Sequence, residues 1–199
     1  MKLFLNKTSP YARLALVTAH EAGAADKLET VWVEPWDDPK ALLDVNPLGK
    51  VPALVTDAGT MLIESGAICD HLIAVSGLDR LMPRQPDRRE DTLRRLGLGR
   101  ATIDCAFGVV IHRRFSGGTD TGLTERWVRA IPRAVAALEE LAVGRIGAEP
   151  DLGDIAVTVA LDYVDFRLST IAWRTAAPNL ARWVDANRER PSFRASDPR

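Results

Sequence analysis

The stretch Asn46-Pro-Leu-Gly-Lys-Val-Pro52 runs into the apolar triplet Ala53-Leu-Val55 and is followed, twelve residues after Pro52, by Glu64-Ser65. Pro47 and Gly49 mark a turn, and the triplet reads as a short strand. A proline at the mouth of a strand is informative because it has no N–H for the ladder. With a cis Val51–Pro52 bond the chain turns tightly, and the backbone N–H and C=O of Val51 point away from the sheet. Two such groups take an extended, peptide-like ligand as one more strand. Glu64-Ser65 reads as the start of a helix, whose first N–H groups have no partner within it and attract a carboxylate. One segment therefore offers a clamp for a peptide backbone beside a site for an anion.

Outward from this segment the pattern alternates. Leu3-Phe-Leu5 reads as a strand, and Ser9-Pro10 as the cap and first residue of a helix that Gly23 closes. Residues 28–33 read as a second strand, and residues 35–44 as loop and a short helix. Residues 53–55 and 61–63 are strands joined by Asp57-Ala-Gly59, a hairpin signal, and residues 65–75 are a helix ended by Gly77. The order β-α-β-α-β-β-α predicts a small mixed sheet with helices on its faces. Residues 78–86 hold Pro83 and Pro86, show no period and read as a linker. No strand signal follows. Helices are predicted over 87–114, ended by Ser116-Gly-Gly118, then over 125–143, 154–171 and 180–188, with an irregular tail from Arg190. The fold class is α/β followed by all-α: a mixed domain over 1–77 and a helical bundle over 87–199.

The balance of 26 basic and 27 acidic side chains gives no global attraction to nucleic acid or to an anionic membrane. No run of 18 apolar residues suggests a membrane span. The apolar start is too short for a signal peptide. Cys69 and Cys105 belong to no metal-binding or redox pattern, so no metal site is expected and a reducing cytoplasm is the simplest compartment. The arginines at 88, 89, 94, 95 and 100 read as a solvated helix face, interleaved as they are with Asp87, Glu90 and Asp91.

In order and spacing these segments resemble the cytosolic glutathione S-transferases of bacterial type. Thr8-Ser9-Pro10-Tyr11-Ala12-Arg13 lies at the turn where that family carries its catalytic Ser, Cys or Tyr. Asn46 to Pro52 resembles the family's N-P-x-G-x-V-P with its cis-proline. Glu64-Ser65 with Ile68 and Leu72 resembles E-S-x-A-I-x-x-Y-L, although His71 stands where Tyr is usual. Asp151-Leu-Gly-Asp154-Ile-Ala156 is similar to the capping motif of the buried helix, with Asp151 in place of Ser or Thr, and Arg190-Pro-Ser-Phe193 to the ending of many bacterial members. The resemblance implies a thioredoxin-like first domain and glutathione as co-substrate. It also implies a homodimer, first domain against the partner's second, and a small electrophilic substrate in a mostly apolar cleft between the first domain and the long helix. No Tyr lies at residues 4–8 and no Cys near Ser9, which points to a serine-like site and away from thiol–disulfide chemistry.

On this resemblance Ser9 donates a hydrogen bond to the glutathione sulfur while the helix N-terminus favours the thiolate. Thr8 and backbone N–H groups are rivals for that role, Ser-Pro is also a plain helix cap, and Tyr11 is packing or rim. Val51, held by Pro52, takes the peptide backbone. Ser65 takes the γ-glutamyl carboxylate and Glu64 the ammonium beside it; a Glu at an anion site repels the anion unless the ligand is zwitterionic. Lys50 reaches the glycyl carboxylate. Asp154 is structural, its charge offsetting the dipole of a buried helix. His112, Arg113 and Arg114 sit towards the rim of the acceptor pocket, and Cys105 is a helix-core thiol. The expected activity is conjugation of the glutathione thiolate to small hydrophobic electrophiles. A non-catalytic binding scaffold, or a glutathione-dependent dehalogenase, isomerase or peroxidase, stays open.

Overall fold

The computed structural model describes residues 1–199. The chain forms two compact units, Met1–Met82 with Pro191–Pro198, and Pro83–Arg190 with Arg199.

The first unit holds β1 (Lys2–Leu5), α1 (Pro10–Glu21), β2 (Glu29–Trp32), α2 (Lys40–Leu43), β3 (Ala53–Val55), β4 (Met61–Ile63) and α3 (Ser65–Ser76). The sheet order is β2-β1-β3-β4, with β2 parallel to β1 and the other two pairings antiparallel. Side chains alternate across a strand. Phe4 and Ala53 pack on Leu42 of α2 with Val31, Val51 and Ile63 around them. Leu3 and Leu5, also buried, take the other face, and α1 and α3 pack together against the sheet. The hairpin closes at Gly59, whose φ of +80° suits a residue without Cβ.

The tail differs from the sequence reading, which left it irregular and grouped it with the helices. Pro191–Arg194 forms a short helix, α9, that packs on α1. Pro191 has the fixed φ of a helix start, and Ser192 and Phe193 are both buried.

The second unit holds α4 (Pro86–Phe115), α5 (Gly122–Leu141), α6 (Leu152–Arg167), α7 (Trp173–Ala176) and α8 (Pro178–Arg188). No helix is long and apolar enough to cross a membrane. A capping box of Thr121 and Thr124 starts α5, earlier than the apolar period indicates. Every residue of α6 from Leu152 to Val164 is buried. With its Leu161, Val109, Ile131, Leu138, Trp183 and Val184 form the core.

α4 and α6 approach closely through glycine. A Cβ on Gly99 would stand 2.7 Å from the backbone carbon of Ala156 and the nitrogen of Val157. Both are helix backbone, so only a helix displacement relieves the clash. Gly99→Ala is expected to destabilise the unit by about 1–3 kcal/mol. Gly97→Ala, where a Cβ meets nothing within 4 Å, should be neutral or slightly stabilising. Thermal melts of the two variants side by side check the assignment.

Candidate functional site

The register of the sheet gathers the sequence-predicted residues of the first unit. β3 runs antiparallel to β1 with Phe4 opposite Ala53, so the chain leaving β1 at Leu5 passes the start of β3 at Pro52. Ala53 is also opposite Ile63, which puts Glu64 beside Pro52. The segments 6–9, 51–52 and 64–65 therefore emerge at one end of the sheet.

The Val51–Pro52 bond is cis. Neither the N–H nor the C=O of Val51 has a hydrogen-bond partner in the chain. The preceding turn is organised by Asn46, a residue whose separate role the sequence reading did not see. Asn46 is buried; its Nδ2 donates to the Lys50 carbonyl at 2.7 Å, and its Oδ1 accepts from the Leu48 N–H at 3.0 Å. Gly49, with φ +62°, closes the turn by donating to the Asn46 carbonyl at 2.9 Å. The Lys50 side chain is exposed at the turn.

Glu64 has φ 69° and ψ 125°, a backbone conformation that non-glycine residues avoid. Such strain persists where the surroundings impose it, and it clusters at ligand sites. Its side chain does not cap α3. Ser65, the first residue of α3, is 1% exposed, and its hydroxyl oxygen has no hydrogen-bond partner. A buried hydroxyl left unpaired is destabilising, and here it sits beside the unpaired first N–H groups of a helix. This pairing of orphaned groups suits a carboxylate.

Ser9 is the N-cap of α1, with Pro10 following. Its Oγ accepts from the Ala12 N–H at 3.2 Å, and its own O–H donates to no group of the chain. The hydroxyl of Thr8 is committed, donating to Asn6 Oδ1 at 3.0 Å, while Asn6 Nδ2 donates to the Val33 carbonyl at 3.2 Å. The donor left over at this turn is thus Ser9 rather than Thr8. Tyr11 is half-buried on the first turn of α1. Cys69 is buried on α3, its thiol 3.4 Å from the Thr18 hydroxyl.

In the helical unit the structure corrects one reading. Arg95 is not on a solvated face but 0% exposed. Its guanidinium donates to Asp154 Oδ1 at 2.8 Å and bonds Asp91 and Asp151 as well. Arg145 joins Asp91 and reaches Asp154 Oδ1 at 3.3 Å. Asp151 and Asp154 cap α6 reciprocally, each accepting the other's backbone N–H. Burial, with Asp151 adding to it, pushes the Asp154 carboxyl up to about 6 against the pull of Arg95 and Arg145. At Asp91 burial acts the same way, but the two arginines outweigh it and hold the carboxyl below its ordinary range. Asp154 thus takes part in a buried ion network. Burial also raises the Cys105 thiol, with Asp104 adding and Arg126 and Arg133 opposing, which makes it a poor nucleophile. Arg113 forks onto Asp120 at 2.8 and 2.7 Å.

Comparison with known proteins gives this geometry a lineage. The family model for the N-terminal domain of glutathione S-transferases matches residues 8–75, the span that contains Ser9, Lys50, Val51, Pro52, Glu64 and Ser65. That for the C-terminal domain matches residues 121–186. The glutathione S-transferase GstB of Escherichia coli K12 is 32% identical over 164 residues, covering 76% of this chain and 75% of its own. The maleylacetoacetate isomerase of Pseudomonas aeruginosa PAO1 is 29% identical over 168 residues, covering 79% and 76%. Among solved structures, a glutathione S-transferase of Methylobacillus flagellatus KT with GSH bound superimposes with a TM-score of 0.88 at 30% identity, covering 100% of this chain and 99% of that one. The two matched domains, the sheet order and the whole-chain superposition agree: the chain belongs to the glutathione S-transferase family.

Proposed function

We propose that the chain is a glutathione transferase that joins the glutathione thiolate to small hydrophobic electrophiles. The observation that carries this is the unpaired, buried hydroxyl of Ser65 at the start of α3, at the sheet end that also presents the unpaired backbone of Val51. The γ-glutamyl carboxylate binds Ser65 Oγ and the first N–H groups of α3, and Glu64 takes the adjacent ammonium. The peptide backbone of glutathione pairs with Val51, which Pro52 presents, and Lys50 receives the glycyl carboxylate. The thiol then lies at Ser9, whose free O–H donates to the sulfur at the positive end of α1. A free thiol of this kind has a pKa of about 8.5. Lowering it populates the thiolate at neutral pH, the thiol proton passing to solvent. The thiolate attacks the electrophilic carbon, a C–S bond forms, and the displaced electron pair leaves with the leaving group or is protonated.

Ultraviolet titration of the thiolate in the binary complex tests this. The wild type is expected to hold the thiol below its free value. Ser9→Ala is expected to return it towards that value and to lower kcat about tenfold, with KM for glutathione little changed. Ser9→Ala also removes a helix cap, so its melting temperature is read alongside. No glutathione binding at millimolar concentration would end the proposal.

The likeness to a maleylacetoacetate isomerase favours a second reading of the same site. There the thiolate adds to a conjugated double bond, the bond rotates, and the thiolate leaves again. The two readings separate in the product: a conjugate keeps the sulfur, whereas an isomer consumes no glutathione. Family membership further supports a homodimer, tested by sedimentation at twice the chain mass.

A further inference from the structure

α1 is held at both ends by a segment distant in sequence. The Arg13 N–H donates to the Ser9 carbonyl at 3.0 Å, the first turn of the helix. The same residue's side chain is 6% exposed and turns to segment 191–198. Its Nε donates to Ser196 Oγ at 3.3 Å and its Nη2 to the Phe193 carbonyl at 3.4 Å. At the last residue of α1, Glu21 Oε1 accepts from the Ser192 hydroxyl at 2.6 Å, and Arg80 Nη2 donates to the Glu21 carbonyl at 2.6 Å. Phe193 is itself buried, and Ser196 also donates back to the segment's own Ser192 and Phe193 carbonyls.

A guanidinium and a carboxylate are expensive to bury on a helix that needs only apolar residues to pack. The guanidinium is used here to fasten α1 to one short segment, while the Glu21 carboxylate is shared between Ser192 of that segment and Arg80, whose Nη2 lies 3.3 Å from Glu21 Oε2. The field of a helix N-terminus and the direction of an N-cap hydroxyl are effective only over the first turn, so they depend on that turn not fraying. We propose that segment 191–198 is a positioning element for the thiol-activating end of α1, acting through Arg13, which links Ser9 to Ser196 and Phe193. Arg13 is a positioning residue and touches no substrate. The inference rests on the reading of this sheet end as the thiol site.

The test is the thiolate titration of bound glutathione in wild type, Arg13→Met and Ser9→Ala. Arg13→Met is expected to raise the thiol pKa by ~0.5, with the glutathione Kd within about twofold, because Val51, Glu64 and Ser65 lie on other elements. If Arg13→Met does not fold, Ser196→Ala, which removes one hydroxyl and leaves the bond to Phe193, is read in its place. A shift in Ser9→Ala with none in the clamp variant overturns the clamp alone. A shift in the clamp variant with none in Ser9→Ala upholds the clamp and overturns Ser9 as the donor, leaving the α1 N–H groups to set the thiolate. No shift in either overturns both. A lowered melting temperature with an unmoved titration reduces the segment to plain packing and overturns the inference as well.

Discussion

Ser65→Ala is expected to weaken glutathione binding by ~10–100-fold while leaving the protein as stable as before, or slightly more so. The two halves of this result have one cause. In the free protein the Ser65 hydroxyl is buried and has no partner, so it has lost its water without gaining a bond. Ser65→Ala leaves a methyl side chain and removes an unpaired polar atom from the interior, which relieves that penalty. In the complex the hydroxyl donates to a carboxylate, and hydrogen bonds to charged groups contribute about 1.5–3 kcal/mol. A serine retained merely to start a helix predicts the reverse, with stability lost and binding unchanged. Ser65 is not placed for that, since the N-cap of α3 is Glu64. Calorimetric titration with glutathione and a thermal melt on the same preparation separate the cases. A destabilised variant with an unaltered Kd would take Ser65 out of the site.

The meeting of these segments at one end of the sheet was readable because the turn, the strand and the hairpin each carry a local signal. Pro47 and Gly49 mark the turn, Pro52 opens the strand, and Asp57-Ala-Gly59 closes the hairpin. With the hairpin placed, β3 and β4 fall where the two apolar triplets beside it put them. Register then follows from the hairpin, and register is what brings residue 64 beside residue 52. The face of α4 was less legible. Its buried positions are Thr92, Arg95, Gly99, Thr102, Ile103, Ala106 and Val109, a helical stripe made mostly of small and polar residues. The large apolar residue Leu93 is 45% exposed instead. Hydrophobicity marks a buried face only where the gap beside it is wide enough for large side chains. At Gly99 the backbone of α6 leaves no such gap. The tail was silent for a different reason: Ser192 and Ser196 find Glu21 and Arg13 more than 170 residues away, and nothing local encodes a partner at that distance.

Arg95 was misread because a buried arginine in the pair Arg94-Arg95 looks like its solvated neighbour, and it carries the largest expected loss of stability. Arg95→Met is expected to destabilise the helical unit by about 3–5 kcal/mol. Methionine fills the volume, so the loss is electrostatic. Asp91, Asp151 and Asp154 would be left with Arg145 as their one cation within the network. Two of those carboxylates form the capping box of α6, so their repulsion acts directly on the start of the most buried helix. Asp154→Ala should be less severe, about 2 kcal/mol, because Arg95 retains Asp91 and Asp151 while the helix loses half of its cap. Arg95→Lys is not a rescue, since one ammonium cannot fork onto three carboxylates. Combining Arg95→Met with Asp154→Asn should cost less than the sum of the two, because the second change removes part of the charge that the first leaves unpaired. In every variant the folded protein is expected to keep its glutathione Kd, for no residue of the network belongs to the sheet end that holds Val51, Glu64 and Ser65. Unchanged melting with lost glutathione binding in Arg95→Met would show that the network serves the ligand, and the structural account of Asp154 would fall with it.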